Sequence, residues 1–302
     1  MIIEKTQINQ DSFSFKWSYF SSAREGLKKI LMQPELTGKR ILLPAYIGYS
    51  MREGSGVFDP IAATGKACVF YQMDPSLNIN LPALKKTVEK HPGHILLLIH
   101  YFGFKDKNID SIKRLARKYQ MVLIEDFAHG LYTFYNDPST DFDYAIFSLH
   151  KMLPQPDGGM VLSDHLIKGH KKAVAYDLFR YNFPSIIQQR INNYTYILKA
   201  LKGQSCMQSV HVLRPVLGKY VPQSFPVLLQ SQAIRDRLYF AMNEAGYGVV
   251  SLYHQLISQV EKVANFEHMI SNTILNFPVH QDANPKQLGS MLKLFFKLLK
   301  KD

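Results

Sequence analysis

The chain has 302 residues, 46% hydrophobic and 20% charged, a globular composition that excludes disordered and collagen-like proteins. Thirty-six Lys and Arg against 24 Asp and Glu leave a formal charge of +12, which suits polyanionic or phosphorylated partners without choosing among them. Two cysteines, Cys68 and Cys206, exclude a disulfide framework and a four-cysteine metal site and point to a reducing cytoplasm, and the longest apolar run, Ile95 to Ile99, is far short of the roughly 20 residues of a membrane span.

The chain opens with Met1-Ile2-Ile3-Glu4-Lys5, which lacks the apolar core of a signal peptide. Phe20-Ser21-Ser22-Ala23-Arg24-Glu25-Gly26-Leu27 leads into a helix with Leu27, Ile30 and Leu31 on one face. Arg40 to Leu43 is a short strand closed by Pro44, and Ala67 to Met73 is a second, β-rich run ending at Asp74-Pro75. His94 to His100 contains Ile-Leu-Leu-Leu-Ile, suited to a strand buried on both faces. Ile109 to Tyr119 spaces Ile109, Ile112, Leu115 and Ala116 at helical intervals, with Lys and Arg between them. Met121 to Ile124 is a strand that runs into Glu125-Asp126, and strands Tyr144 to Phe147 and Met160 to Leu162 flank the polar segment Ser148 to Gly159. Ser185 to Leu201 reads as one long helix. After an irregular stretch from Lys202 to Pro226 come strand Pro226 to Leu229 and helices Ala233 to Ala245 and Pro285 to Lys300. Alternating strands and helices predict an α/β protein: a mostly parallel mixed sheet in a large domain, residues 1–205, and a smaller α+β C-terminal domain, residues 206–302. The last helix, with Leu292, Phe295, Phe296 and Leu299 among lysines, reads as a packing helix rather than a membrane-surface one.

Three polar clusters fall where strands end, the place where open α/β sheets bind ligands. In Ser148-Leu149-His150-Lys151, followed by Pro156-Asp157-Gly158-Gly159, partial burial of the lysine would leave a neutral, imine-forming amine. Ser148 could bond a phosphate oxygen. S-x-x-K is also a serine-nucleophile motif, but that chemistry expects a K-T-G partner, and none occurs. In Asp126-Phe127-Ala128-His129, a strand-end carboxylate is placed to pair with a protonated ring nitrogen, and His129 to stack on or bond the same ring; read alone, such an Asp is more often a loop cap. Ser22-Ala23 at a helix start is an N-cap or, with its exposed N–H groups, a phosphate site.

Taken in order, Asp126-x-x-His129, Ser148-x-x-Lys151 and Gly158-Gly159 resemble the DegT/DnrJ/EryC1/StrS family of sugar aminotransferases. Leu42-Leu43-Pro44-Ala45-Tyr46, Met73-Asp74-Pro75 with Asn78-Ile79-Asn80, His100-Tyr101-Phe102-Gly103 and Ser271 to His280 resemble further family segments, so the likeness covers most of the chain. It implies the fold of type I pyridoxal-phosphate transferases and a homodimer. Pyridoxal 5'-phosphate would be carried by Lys151, with Asp126 on the ring nitrogen, His129 near the ring hydroxyl, and Ser148, Ser22 and the Ala23 amide on the phosphate. Tyr46 would stack on the ring, with Tyr49 nearby, although the strict count lands on Gly48. The implied reaction is transfer of an amino group from a glutamate-like donor to a nucleotide-linked keto sugar, in the cytoplasm, for surface polysaccharide synthesis; no nucleic acid and no resident metal is implied.

Three features depart from the family pattern. The serine-to-lysine spacing is short, Ala23 stands where glycine is common, and Arg180-Tyr181-Asn182 only faintly matches the segment that reaches the partner's site. Three other readings remain open. His150-Lys151 also resembles class V enzymes such as cysteine desulfurases, for which Cys206 would be the mobile nucleophile. Members with His in place of the lysine are sugar dehydratases, though the spacing to Gly158-Gly159 selects Lys151 over His150. A scaffold or regulatory protein that keeps the fold without catalysis is the third.

Overall fold

The structure, a computed structural model, describes residues 15–169, 180–202 and 208–300. The opening pentapeptide, Cys206 and the proposed division at residues 205 and 206 lie outside them.

Strands β1 (Lys16–Phe20), β2 (Ile41–Pro44), β3 (Cys68–Tyr71), β4 (Ile95–Ile99), β5 (Val122–Asp126), β6 (Tyr144–Ser148) and β7 (Gly159–Ser163) form a seven-stranded sheet in the order β1-β7-β6-β5-β4-β2-β3. From β3 through β6 neighbouring strands are parallel, while β7 is antiparallel to both β6 and β1. This is the mostly parallel mixed sheet that the alternating pattern predicts. Its central strands are apolar on both faces because each face carries a core. Leu42, Leu96, Leu98, Phe127 and Phe147 face one cluster, and Ile41, Leu43, Ile95, Leu97, Ile124 and Ile146 face the other. Lys16-Trp-Ser-Tyr-Phe20 has no strong strand signature; it becomes β1 by pairing along the free edge of β7.

Helices α1 (Ala23–Leu31), α2 (Phe58–Ala62), α3 (Leu81–Lys90), α4 (Ile109–Lys118) and α5 (Leu131–Asn136) connect these strands. One basic residue of α4 turns inward. Lys113 Nζ lies 2.5 Å from Glu125 Oε1, and His100 Nε2 lies 2.7 Å from Glu125 Oε2, all three side chains being almost fully buried. Burial alone would raise the Glu125 carboxyl, but His100 and Lys113 hold it below its usual value. The carboxylate next to Asp126 is thus a tie between α4, β4 and β5.

Strands β8 (Val210–Val212), β9 (Ser224–Leu229) and β10 (Ile274–Pro278) form an antiparallel sheet in the order β10-β9-β8. Helices α6 (Phe183–Lys202), α7 (Gln232–Glu244), α8 (Phe266–Thr273) and α9 (Pro285–Leu299) accompany it. Tyr194 of α6 meets Phe225 of β9 at 4.4 Å between ring centroids, and Phe295 of α9 meets Phe277 of β10 edge-on at 5.0 Å. Leu292, Phe295 and Leu299 are buried by this packing and Phe296 partly so, which accounts for the apolar face of the last helix. Among the described residues no helix is long and apolar enough to cross a membrane. One core cluster runs from the large sheet into the small one, and the site lies along that junction.

Candidate active site

The C-terminal ends of β5 and β6, the start of β7 and the end of β1 converge. Asp126 pairs with Ile99 of β4 and Ile146 of β6, while Ser148, Gly159 and Phe20 form one row across β6, β7 and β1. Directly after Phe20 the chain turns into α1. The Ser22 hydroxyl caps that helix by accepting the Glu25 N–H at 3.2 Å. A Cβ on Gly159 would lie 2.1 Å from the Ser22 carbonyl carbon and 2.3 Å from the Ala23 nitrogen. Glycine there lets the backbone of β7 abut the start of α1. Gly158, at φ 116, completes the turn and donates its N–H to Ser21 O at 2.9 Å.

Ser22, Ala23, Asp126, His129, Ser148, His150 and Lys151 all line one cavity of about 960 Å³. Residues 22 and 151, distant in sequence, therefore open on the same space. Asp126 is buried, and its Oδ1 accepts the Ala128 N–H at 2.7 Å. Burial raises its carboxyl, opposed by that hydrogen bond and by the charges of Lys151 and His100. A raised carboxyl at the wall of a cavity favours a cationic guest. Lys151 is open to the cavity along its length, yet the surrounding protein desolvates its amine and lowers its pKa; the charge of Asp126 opposes this and Arg24 adds to it. Its Nζ lies 3.4 Å from His129 Nε2. Burial, then the lysine's charge, holds His129 well below the usual histidine range, so Nε2 of the neutral ring can accept a bond from the amine. Ser148 Oγ lies 3.4 Å from His150 Nδ1 at the same wall.

The sequence assignments do not all meet here. Tyr46 does not line the cavity. Strand alternation carries it to the Leu42 side of the sheet, where it packs edge-on against Tyr101 and Tyr253 and donates its hydroxyl to Leu252 O at 3.1 Å. Ile47 and Gly48 line the cavity instead, with Tyr49. Asn182, in the faint partner-segment match, accepts the Ser185 N–H at 3.1 Å in the first turn of α6. Cys68 is half-buried, and burial pushes its thiol up, as befits a structural cysteine.

Other lining residues carry no sequence signal that singles them out. Tyr253 and Arg235 come from the C-terminal half, and Arg52 from the loop after β2. Arg235 is 3% exposed and bonds Asp236, Ser251 and the Ser271 carbonyl, so it is held rigidly at the wall.

These residues fit a phosphorylated, cationic aromatic ring of the pyridoxal-phosphate type. Ser22 and Ala23 at the start of α1 line the cavity with Ser148, so N–H groups and hydroxyls are offered there to a phosphate. The buried Asp126 offers the charge that a protonated ring nitrogen needs, and Lys151 offers an amine that desolvation makes easier to deprotonate.

Residues 22–174 match the model of the DegT/DnrJ/EryC1/StrS aminotransferase family. Among curated proteins, the arginine decarboxylase of Bacillus cereus is 25% identical over 169 residues, 50% of this chain and 35% of the decarboxylase. The chain thus spans about a third of that relative's length. Among solved structures, Helicobacter pylori PseC, an aminotransferase involved in pseudoaminic acid biosynthesis, superposes with a TM-score of 0.77 at 14% identity, covering 95% of this chain and 87% of PseC. Bacillus subtilis NtdA, solved with bound cofactor PMP, gives 0.74 at 13% identity, covering 94% of this chain and 73% of NtdA. At these identities the likeness to both structures is one of fold.

Proposed function

Because the chain belongs to the DegT/DnrJ/EryC1/StrS aminotransferase family, we propose that it is a pyridoxal-phosphate aminotransferase that moves an amino group from an amino-acid donor such as glutamate to a nucleotide-linked keto sugar. The observation that carries this reading is the meeting of Lys151 and Asp126 in one cavity, with burial lowering the lysine and raising the acid.

When bound, pyridoxal phosphate supplies a carbonyl that condenses with amines and a ring that withdraws electrons. The chain's residues would do the rest. Ser148, the Ser22 hydroxyl and the Ala23 N–H at the start of α1 hold the phosphate, where the helix dipole favours negative charge. Asp126 sets a fixed negative charge at the ring nitrogen. The Lys151 amine, whose pKa desolvation lowers, is the base that takes a proton at Nζ and later returns it. His129 Nε2, 3.4 Å away, keeps that amine aimed into the cavity. Arg24 and Arg52 line the same space and suit the phosphates of a nucleotide-linked substrate.

A homodimer, a cytoplasmic setting and a role in surface polysaccharide synthesis complete the reading. The test is a pair of half-reactions followed by absorbance. Glutamate should bleach the band of the cofactor-loaded protein and yield 2-oxoglutarate, and a nucleotide-linked keto sugar should restore the band. Carbon dioxide release from arginine, without restoration, would contradict the reading and favour the chemistry of the arginine decarboxylase.

A further inference from the structure

The segment after β2 and a loop of the C-terminal half are sewn together beside the cavity. Tyr49 N donates to Gln255 O at 2.9 Å, Ile257 N donates to Ile47 O at 3.0 Å, and Gly48 and Leu256 form an antiparallel bridge. This clamp brings Tyr253 over Gly48. A Cβ on residue 48 would lie 1.9 Å from Tyr253 Cδ1 and 2.9 Å from both Cγ and Cε1, so the tyrosine ring fills the volume that any side chain at 48 would claim. Tyr253 sits at φ 60, a left-handed backbone conformation that residues other than glycine rarely adopt. Its ring is held edge-on by Tyr46 at 5.3 Å and Tyr101 at 5.8 Å, and lies 6.2 Å from His129.

We propose that Tyr253, delivered by the C-terminal half into the space left by Gly48, is the aromatic wall that positions a planar heteroaromatic ring between itself and the Asp126–His129–Lys151 side of the cavity. The inference rests on the cofactor reading above. A strained backbone, a glycine with no room for a methyl group and two supporting tyrosines aim one ring at the cavity that holds Asp126, His129 and Lys151. Burial, then the Asp126 charge, pushes the Tyr253 hydroxyl well up, so the ring stays neutral and electron-rich beside a cationic guest. The arrangement also joins the two halves of the chain at the cofactor, since the wall moves if the clamp between residues 47–49 and 255–257 opens.

The test measures the dissociation constant of pyridoxal 5'-phosphate by equilibrium dialysis and the visible circular dichroism of the bound cofactor. Tyr253→Phe keeps the ring and should bind within about twofold of the native protein with its dichroism intact. Tyr253→Leu keeps bulk without a planar face and should bind about tenfold more weakly, with the visible dichroism reduced. Gly48→Ala keeps the tyrosine in the chain but forces its ring aside, and should lose affinity likewise. Far-ultraviolet dichroism identifies any variant that has not folded, and a folded member of the Leu or Ala pair is enough. Native affinity and dichroism in that member would overturn the proposal. So would tighter binding, which would mark the ring as a plug. A native protein that binds no cofactor would overturn the underlying reading, and the wall with it, whereas native binding with unchanged variants sinks the wall alone.

Discussion

At the scale of single residues, Asp126, His129 and Lys151 are all shifted toward their neutral forms, and burial is the leading cause for each. Near neutral pH the penalty falls on Asp126 and Lys151, whose ionised forms burial disfavours. His129 is penalised only below its ordinary range. Its folded pKa is depressed, so its contribution to stability is complete above the unfolded value of about 6.5 and is lost as pH falls through the folded value. We expect the urea midpoint of the cofactor-free protein to fall more steeply below about pH 6.5 than that of His129→Gln, which has nothing to titrate there. Parallel midpoint-against-pH curves would contradict a buried neutral His129. At this scale Asp126, His129, Ser148 and Lys151, which line one cavity, were legible because each lies within a few positions of a strand end. The sequence could not assign the aromatic wall. Counting along the loop after β2 reaches Gly48, and the side chain that fills the gap there arrives from Tyr253, through a backbone angle and a packing contact that no local pattern announces.

At the scale of elements, the ends of β1, β6 and β7 fix the cradle. Phe20, Gly159 and Ser148 align because β7 is antiparallel to both neighbours, so the start of β7 meets two strand ends and the first turn of α1. Gly159→Ala should cost about 1–3 kcal/mol in urea unfolding, because the added methyl overlaps the Ser22–Ala23 backbone, which has no flexible side chain to move. It should also weaken binding of pyridoxal 5'-phosphate, because the added methyl displaces Ser22 and Ala23, the proposed phosphate donors. Native stability and affinity in this variant would show that the strand end and the helix start are not in contact. The paired glycines are visible in the sequence, but their purpose is not: one supplies a left-handed turn and the other a close approach. β1 escapes periodicity for a related reason, since an edge strand is specified by the neighbour it completes.

At the scale of the whole molecule, the cavity is built by both halves of the chain. Ser22, Asp126 and Lys151 come from the seven-stranded sheet and its helices, while Arg235 and Tyr253 come from the half that holds the three-stranded sheet. The long apolar run of β4 and the amphipathic pattern of α4 made the large sheet legible, because burial on both faces leaves a compositional trace. The joint between the halves left none. It depends on backbone bonds between residues 47–49 and 255–257, over two hundred positions apart in sequence. Lys113 shows the same limit. Helical periodicity places it among the solvated lysines, and only the tertiary fold supplies the buried Glu125 that turns it inward.

The central claim is that Lys151 is the amine that captures the cofactor. It is tested most directly by adding pyridoxal 5'-phosphate, recording the visible spectrum, reducing with borohydride and locating the added mass by peptide mapping. The account predicts a visible band and a single reduced adduct on Lys151 in the native protein, and neither in Lys151→Ala. An adduct that persists in Lys151→Ala, or a native protein that forms none, would contradict it.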